Sequence, residues 1–162
     1  FIVHSGKDEM QYAPYYMHGS CGEGCAAINK WRQHIWNDFA ARMQWTTTDN
    51  YKSVNHHPHA ILNGDGSLKH ISRKLKNGSV LILDASASTD PDGDELVYKW
   101  SVYTEPGTYK GKIKIDNANM AKCKVHIPVD AMGKNIHIIL ELTDKGTPAL
   151  TVYRRVVVEV DK

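Results

Sequence analysis

The sequence predicts a mainly β protein: an immunoglobulin-like β-sandwich of about seven strands, preceded by a loop-rich tail and one amphipathic α-helix. Three observations carry this expectation. From Asn55 onward, short apolar runs separated by turn clusters recur at the spacing of an all-β sandwich. Residues 26–45 instead repeat apolar side chains at three- and four-residue steps, the period of a helix with one buried face. Residues 5–24 are polar, aromatic and turn-rich, with Tyr12, Tyr15, Tyr16 and His18 but no regular period.

In chain order, the helix is expected over Ala26 to Trp45. Ile28, Trp31, Ile35, Phe39 and Met43 form its apolar stripe, widened by Trp36 and Ala40, and Lys30, Arg32, Gln33, Asn37 and Arg42 form its wet face. So wide a stripe cannot be buried by a short segment alone, and most of it is expected to pack on a domain outside this sequence. Thr46 to Asn55 reads as a linker. The expected boundary divides residues 1–49, a tail and helix closing a preceding domain, from residues 50–162, the sandwich.

Strands are expected at Val80 to Leu83, Leu96 to Tyr103, Lys112 to Ile115, Lys122 to Ile127, Ile136 to Leu142 and Leu150 to Val160, with one more at His59 to Leu62. Between them lie Asn63-Gly64, Asn77-Gly78, Asp90-Pro91-Asp92-Gly93, Met132-Gly133 and Gly146-Thr147-Pro148, residue types that favour turns. Alternation puts Tyr98, Trp100 and Val102 on one face, with Ile136, Ile138, Leu140 and Leu142 and then Val152, Val156, Val158 and Val160 as the other inward rows. Trp100 is the expected core tryptophan. Cys123, alternating with Val125 and Ile127, reads as a buried thiol, and His137, Glu141, Arg155 and Glu159 read as an outward, solvated ladder.

Composition narrows function. Twenty Lys+Arg against eighteen Asp+Glu leave a formal charge of +2, too little for the counterion-releasing stripe that nucleic acid binding requires. No apolar run approaches the roughly eighteen residues of a membrane span. The chain starts at Phe1, with neither an initiator Met nor an apolar signal core, and is expected to be a piece of a longer protein. No Gly-x-Ser-x-Gly or phosphate-cradling glycine loop is present.

Leu83 to Trp100, with its Asp84-Ala85-Ser86 and Asp90-Pro91-Asp92-Gly93-Asp94 segments, resembles the strand-turn-strand signature of the PKD and cadherin-like modules of secreted proteins. More specific pieces flank it: Asn37 to Trp45, Asn55-His56-His57-Pro58, Tyr103 to Gly111, Gly133 to Asp144, and Tyr153-Arg154-Arg155-Val156. Together, over Lys30 to Val160, they resemble the C-terminal part of bacterial proteins described as cellulose-binding or nucleoside-hydrolase-like. The resemblance implies an upstream nucleoside-hydrolase-like domain that closes with the helix ending Phe39-Ala40-Ala41-Arg42-Met43, and a secreted or periplasmic location. It implies a non-catalytic accessory module for polysaccharide such as cellulose; the alternative is a structural domain that packs on and completes the upstream hydrolase. The aspartate-rich strand that nucleoside hydrolases use does not occur in residues 1–55.

Candidate sites follow. Tyr103, Glu105 and Tyr109 lie in a glycine-containing loop suited to a sugar ring or to the upstream domain. Asp90, Asp92 and Asp94, with Asp84 completing the set, alternate as oxygen ligands do around calcium, against the reading of a tight turn with side chains bonded to nearby N–H groups. Asn55-His56-His57-Pro58-His59 is rich in imidazole, but consecutive extended residues point apart. Cys21 and Cys25, separated by glycines, suit a short disulfide; with His18 or His34 they would instead make a zinc site that lacks a second spaced pair.

Overall fold

The structure, a computed structural model, describes residues 2–4, 10–12 and 28–161. Near the start, β1 (Ile2–His4) and β2 (Met10–Tyr12) pair antiparallel. The helix α1 spans Arg32–Trp45. Residues 28–29 are helical as well, as the periodicity predicts, and a turn at Lys30 and Trp31, the N-cap, separates them from α1. Ala26 lies outside the described residues, as do His18, Cys21 and Cys25.

Seven further strands make the expected sandwich: β3 (Ile71–Leu75), β4 (Val80–Asp84), β5 (Leu96–Val102), β6 (Lys114–Asp116), β7 (Lys122–His126), β8 (Asn135–Asp144) and β9 (Thr151–Val160). One sheet runs β3-β9-β8-β5 and the other β4-β7-β6. All pairings are antiparallel except β3 with β9. The strand expected at His59 to Leu62 is absent from both sheets; that segment makes only single bridges, His59 to Thr89 and Leu62 to Asp65. The missing place is filled by β3. Its single inward anchor, Ile71, is buried while Ser72, Arg73 and Lys74 are exposed, so an edge strand held by backbone bonds carries almost no apolar alternation.

The two sheets close on the predicted rows. Trp100, Ile136, Ile138, Leu140, Leu142, Val156, Val158 and Val160 are buried between them, with Leu83, Cys123 and Val125 from the facing sheet. The Trp100 indole donates to the Met120 carbonyl at 2.9 Å, which satisfies its N–H inside the core. Burial pushes the Cys123 thiol up to about 12. One inward position breaks the valine row of β9: Arg154 is 2% exposed, and its guanidinium donates to the carbonyls of Ala60 at 3.0 Å and Asp65 at 2.6 Å. It thereby fastens the segment before β3 across the end of the sandwich.

The outer face of the four-stranded sheet departs from expectation. His137 and Glu141 are buried, at 8% and 7% exposure, together with Ile139 between them. They do not form a solvated ladder, because α1 and the chain following β5 cover this face and make a third layer. Glu141 keeps a partner there, Lys99, at 3.0 Å.

Two expectations follow. Cys123 should resist iodoacetamide at pH 8 in the native protein and react on unfolding, since only the thiolate attacks; peptide mass spectrometry would read this residue separately from Cys21 and Cys25. At the β8–β9 turn, Asp144 is 1% exposed, and its Oδ1 accepts from Asn55 Nδ2 at 3.0 Å, Gly146 N at 2.9 Å and Leu150 N at 2.9 Å. Asp144→Ala would strand the buried Leu150 N–H and the half-buried Gly146 N–H, and would leave the Asn55 amide only its bond to Pro148. It should cost on the order of 3 kcal/mol and lower the thermal midpoint by roughly 6–12 °C, whereas Asp144→Asn, which keeps an acceptor, should lose much less.

Candidate functional site

The linker locks α1 onto the sandwich. Trp45 Nε1 donates to the Asn55 carbonyl at 2.8 Å, and the Asn55 amide donates in turn to Asp144 and, at 2.8 Å, to the Pro148 carbonyl. Gly146 leaves no room for a Cβ against the Asn55 side chain, so the turn is shaped around this amide. Further along the helix, Asn37 Nδ2 donates to the Ala149 carbonyl at 2.8 Å, Asp38 pairs with His57 at 2.9 Å, and Ala41 is fully buried. This is the polar and small-residue side of the helix. The apolar stripe faces away: Ile28, Ile35, Trp36, Phe39 and Met43 are each about half exposed, between 47% and 58%.

Docked in this way, the start of α1 overhangs the outer face of β8 and β9 and leaves a groove. Its larger lobe, about 420 Å³, is lined by Trp31, His34, Asp38, His57, Tyr103 and Tyr153. A second lobe, about 270 Å³, lies among Lys30, Lys99, Glu105 and Glu141, and shares Trp31, Tyr103 and Ile139 with the first. The Trp31 indole stands between two tyrosines, edge-on to Tyr153 at 5.0 Å and 81° and to Tyr103 at 6.3 Å and 74°. His34 Nδ1 and the Tyr153 hydroxyl are hydrogen-bonded.

Among the described residues, every Asp, Glu and Lys lining the groove has a partner of opposite charge. Asp38 is bound by Arg42 at 2.7 Å as well as by His57, and the Arg42 hydrogen bond, aided by His57, holds its carboxyl below the usual carboxylate range. At neutral pH it therefore accepts hydrogen bonds and is not a proton donor. Glu105 pairs with Lys30, whose hydrogen bond lowers the Glu105 pKa. Burial, with the nearby Glu141 charge, pushes the Tyr153 phenol well above its ordinary value, so its hydroxyl stays protonated.

The structure divides the residues singled out in the sequence. Tyr103 lines both lobes and Glu105 the smaller one, but Lys30 lies over the Tyr103 ring at 4.3 Å and covers that face. Tyr109 is not brought to them: it is 7% exposed, packs in the sandwich core and donates its hydroxyl to Asp130 at 2.8 Å. The four aspartates are also separated in their bonding. Asp84 accepts from Ser86 and pairs with Lys122, which bring its carboxyl down to about 2. Asp90 accepts from the N–H groups of Asp92 and Asp94, as a tight turn requires. Asp92 accepts from His56. Neighbouring carboxylates, after desolvation, raise the pKa of Asp94. Among the described residues, no three His, Cys, Asp or Glu side chains converge as metal ligands. The two histidines point apart as expected, His56 to Asp92 and His57 to Asp38.

Sequence reasoning missed Trp31, His34, Asp38, His57 and Tyr153 as parts of one site. Tyr153 was visible as an outward tyrosine on an inward-valine strand, and Trp31 as a member of the helical stripe. Nothing in their spacing shows that they meet.

The family described as cellulose-binding protein Sde0182, C-terminal domain, matches residues 80–160, half of the chain. The chain belongs to that family. A solved nucleoside hydrolase-related hypothetical protein from Saccharophagus degradans, described as associated with carbohydrate metabolism, is 38% identical over 98% of this chain, with a TM-score of 0.81. The chain spans 40% of the length of that protein. The PKD domain of the KIAA 1837 protein is 18% identical over 59% of this chain and 83% of its own length (TM-score 0.44). Human CDH23 repeats EC21-23 are 14% identical over 64% of this chain and 33% of theirs (TM-score 0.44). No curated protein matches. The family match holds β4 to β9, including Tyr103 and Tyr153, whereas Trp31, His34, Asp38 and His57 lie before it; the likeness to the S. degradans protein takes in both halves of the groove.

Acid should loosen the Asp38–His57 contact. Because the Asp38 pKa is lowered in the folded protein, its contribution is complete above its unfolded value of 3.8 and is lost as pH falls below it. Arg42, the larger cause, lies on α1 itself, and the Trp45–Asn55 and Asn37–Ala149 bonds do not titrate. Tryptophan fluorescence in an acid titration should therefore show a local change in that range as the Asp38–His57 contact is lost, and Asp38→Asn should show the same change already at neutral pH.

Proposed function

We propose that this chain is a non-catalytic carbohydrate-binding module, acting as an accessory to glycan degradation in a secreted or periplasmic bacterial protein. The observation that carries the reading is the groove between α1 and β8–β9. It combines aromatic surface with hydroxyl, imidazole and carboxylate groups within reach of one ligand, the combination with which proteins hold sugars: ring faces against C–H surfaces and polar groups for the hydroxyls. The cellulose-binding description of the family and the carbohydrate association of the S. degradans relative support it. Asp38 and His57 do not act as an acid–base pair in this reading; they position hydroxyl groups.

A second reading rests on a separate observation, the half-exposed stripe Ile28, Ile35, Trp36, Phe39 and Met43. A helix with so much apolar surface facing away from its own sandwich suits a docking face for a nucleoside-hydrolase-like domain, and the S. degradans relative extends well beyond the part matched here. The two readings are compatible: the stripe meets the groove only at Ile35, which lines both, and Trp36, Phe39 and Met43 lie away from it.

Pull-down on insoluble cellulose and a glycan array test the first. Binding should appear, and Trp31→Ala should weaken it about tenfold or more; no binding to any glycan would remove the reading. For the second, Trp36→Lys with Phe39→Glu should leave the stability of this chain within about 0.5 kcal/mol, as exposed substitutions do. The same pair should abolish co-purification with the separately expressed upstream domain.

A further inference from the structure

We infer that the groove takes one or two rings of a single, soluble, uncharged saccharide chain, and not the flat face of a crystalline polysaccharide. The inference rests on the carbohydrate-binding reading above and adds the form and charge of the ligand. The form follows from ring orientation. A crystalline surface is a plane, and stacking on it requires aromatic faces that are coplanar and exposed. Here Trp31 stands at 81° and 74° to its two tyrosine neighbours and so shares a plane with neither, and Lys30 covers the Tyr103 face at 4.3 Å. The rings also lie in a depression of about 420 Å³ roofed by α1, within the size range of about 300–1,000 Å³ usual for small-ligand sites. A single chain can enter such a depression; a sheet of packed chains cannot reach past the helix. The second lobe, on the other side of Trp31, gives the chain a continuation.

The charge preference follows from pairing. Lys30 is matched by Glu105, Lys99 by Glu141 at 3.0 Å, and Asp38 by Arg42 and His57. Among the described residues, a uronate or sulfated ring would find no unmatched lysine or arginine in the groove, and would have to break one of these pairs or bring its charge in uncompensated. A neutral ring exchanges hydroxyl hydrogen bonds with the same groups and leaves the pairs in place.

The experiment uses the full chain in three arms. Calorimetry with soluble cello-, xylo-, manno- and laminari-hexaose should detect binding to at least one neutral chain, weakened at least tenfold by Trp31→Ala; Trp36→Ala, on the opposite side of the helix, should leave it unchanged. Galacturonan oligosaccharides of the same length should bind at least tenfold more weakly. Sedimentation with microcrystalline cellulose should leave the protein in the supernatant. Retention on the crystalline solid that soluble chains do not compete away, or tighter binding of the uronate, overturns this inference and leaves the carbohydrate reading standing. Absence of binding in all three arms overturns both. Unimpaired binding by Trp31→Ala in any arm moves the site away from the groove and overturns the inference alone.

Discussion

The placement of the helix depends on one buried amide–carboxylate contact. Asn55 sits where the linker meets the sandwich, receives the Trp45 indole on its carbonyl and gives its amide to Asp144 and Pro148. Asp144 belongs to β8 but gathers the β8–β9 turn as well, through Gly146 and Leu150. The end of the helix, the linker and the turn therefore share a single polar centre from which water is excluded, where an unmatched group would be costly. The groove has one wall on α1 and the other on β8–β9; this centre fixes the far end of the helix, and His34–Tyr153, Asn37–Ala149 and Asp38–His57 hold the end at the groove.

A sandwich alone would offer the outer face of β8 as an ordinary wet surface. Covering it changes what its residues are. Ile139 and Glu141 become floor and wall of a cavity, Lys99 becomes the counter-ion of a nearly buried carboxylate, and the Tyr153 phenol is pushed further above its ordinary value by desolvation and Glu141. The chemistry of the site is thus created by the docking of a segment that lies outside the residues matched by the family, 80–160. The β-rich half that the family matches supplies the platform, and the segment 28–57 makes a groove of it.

The helix is also unusual in which side it gives to its own chain. Asn37, Asp38 and Ala41 meet the sandwich, while the residues that a stripe argument would bury remain about half exposed. Hydrogen bonds to fixed carbonyls and an ion pair hold the inward side, and the larger apolar area on the other side is what a partner surface would bury. One side of the helix thus makes the groove wall, and the other leaves Trp36, Phe39 and Met43 about half exposed.

The sequence by itself determined the sandwich. Inward rows on β5, β8 and β9, the core tryptophan and the buried thiol were all legible because alternation with a period of two is a local property, and each strand displays it without reference to its neighbours. Where that signal was weak, the reading failed: β3 has one buried anchor and was passed over in favour of His59 to Leu62. Tertiary structure decided the site. Trp31, Asp38, His57, Tyr103 and Tyr153 come from the helix, the linker and two strands, and their meeting depends on how α1 is docked, which no periodicity encodes. The same reason explains why Tyr109, six residues from Tyr103 in a tyrosine-bearing loop, belongs to the core, and why His137 and Glu141, outward by alternation, are covered. Alternation tells which way a side chain points from its own strand; what lies in that direction is a property of the assembled layers.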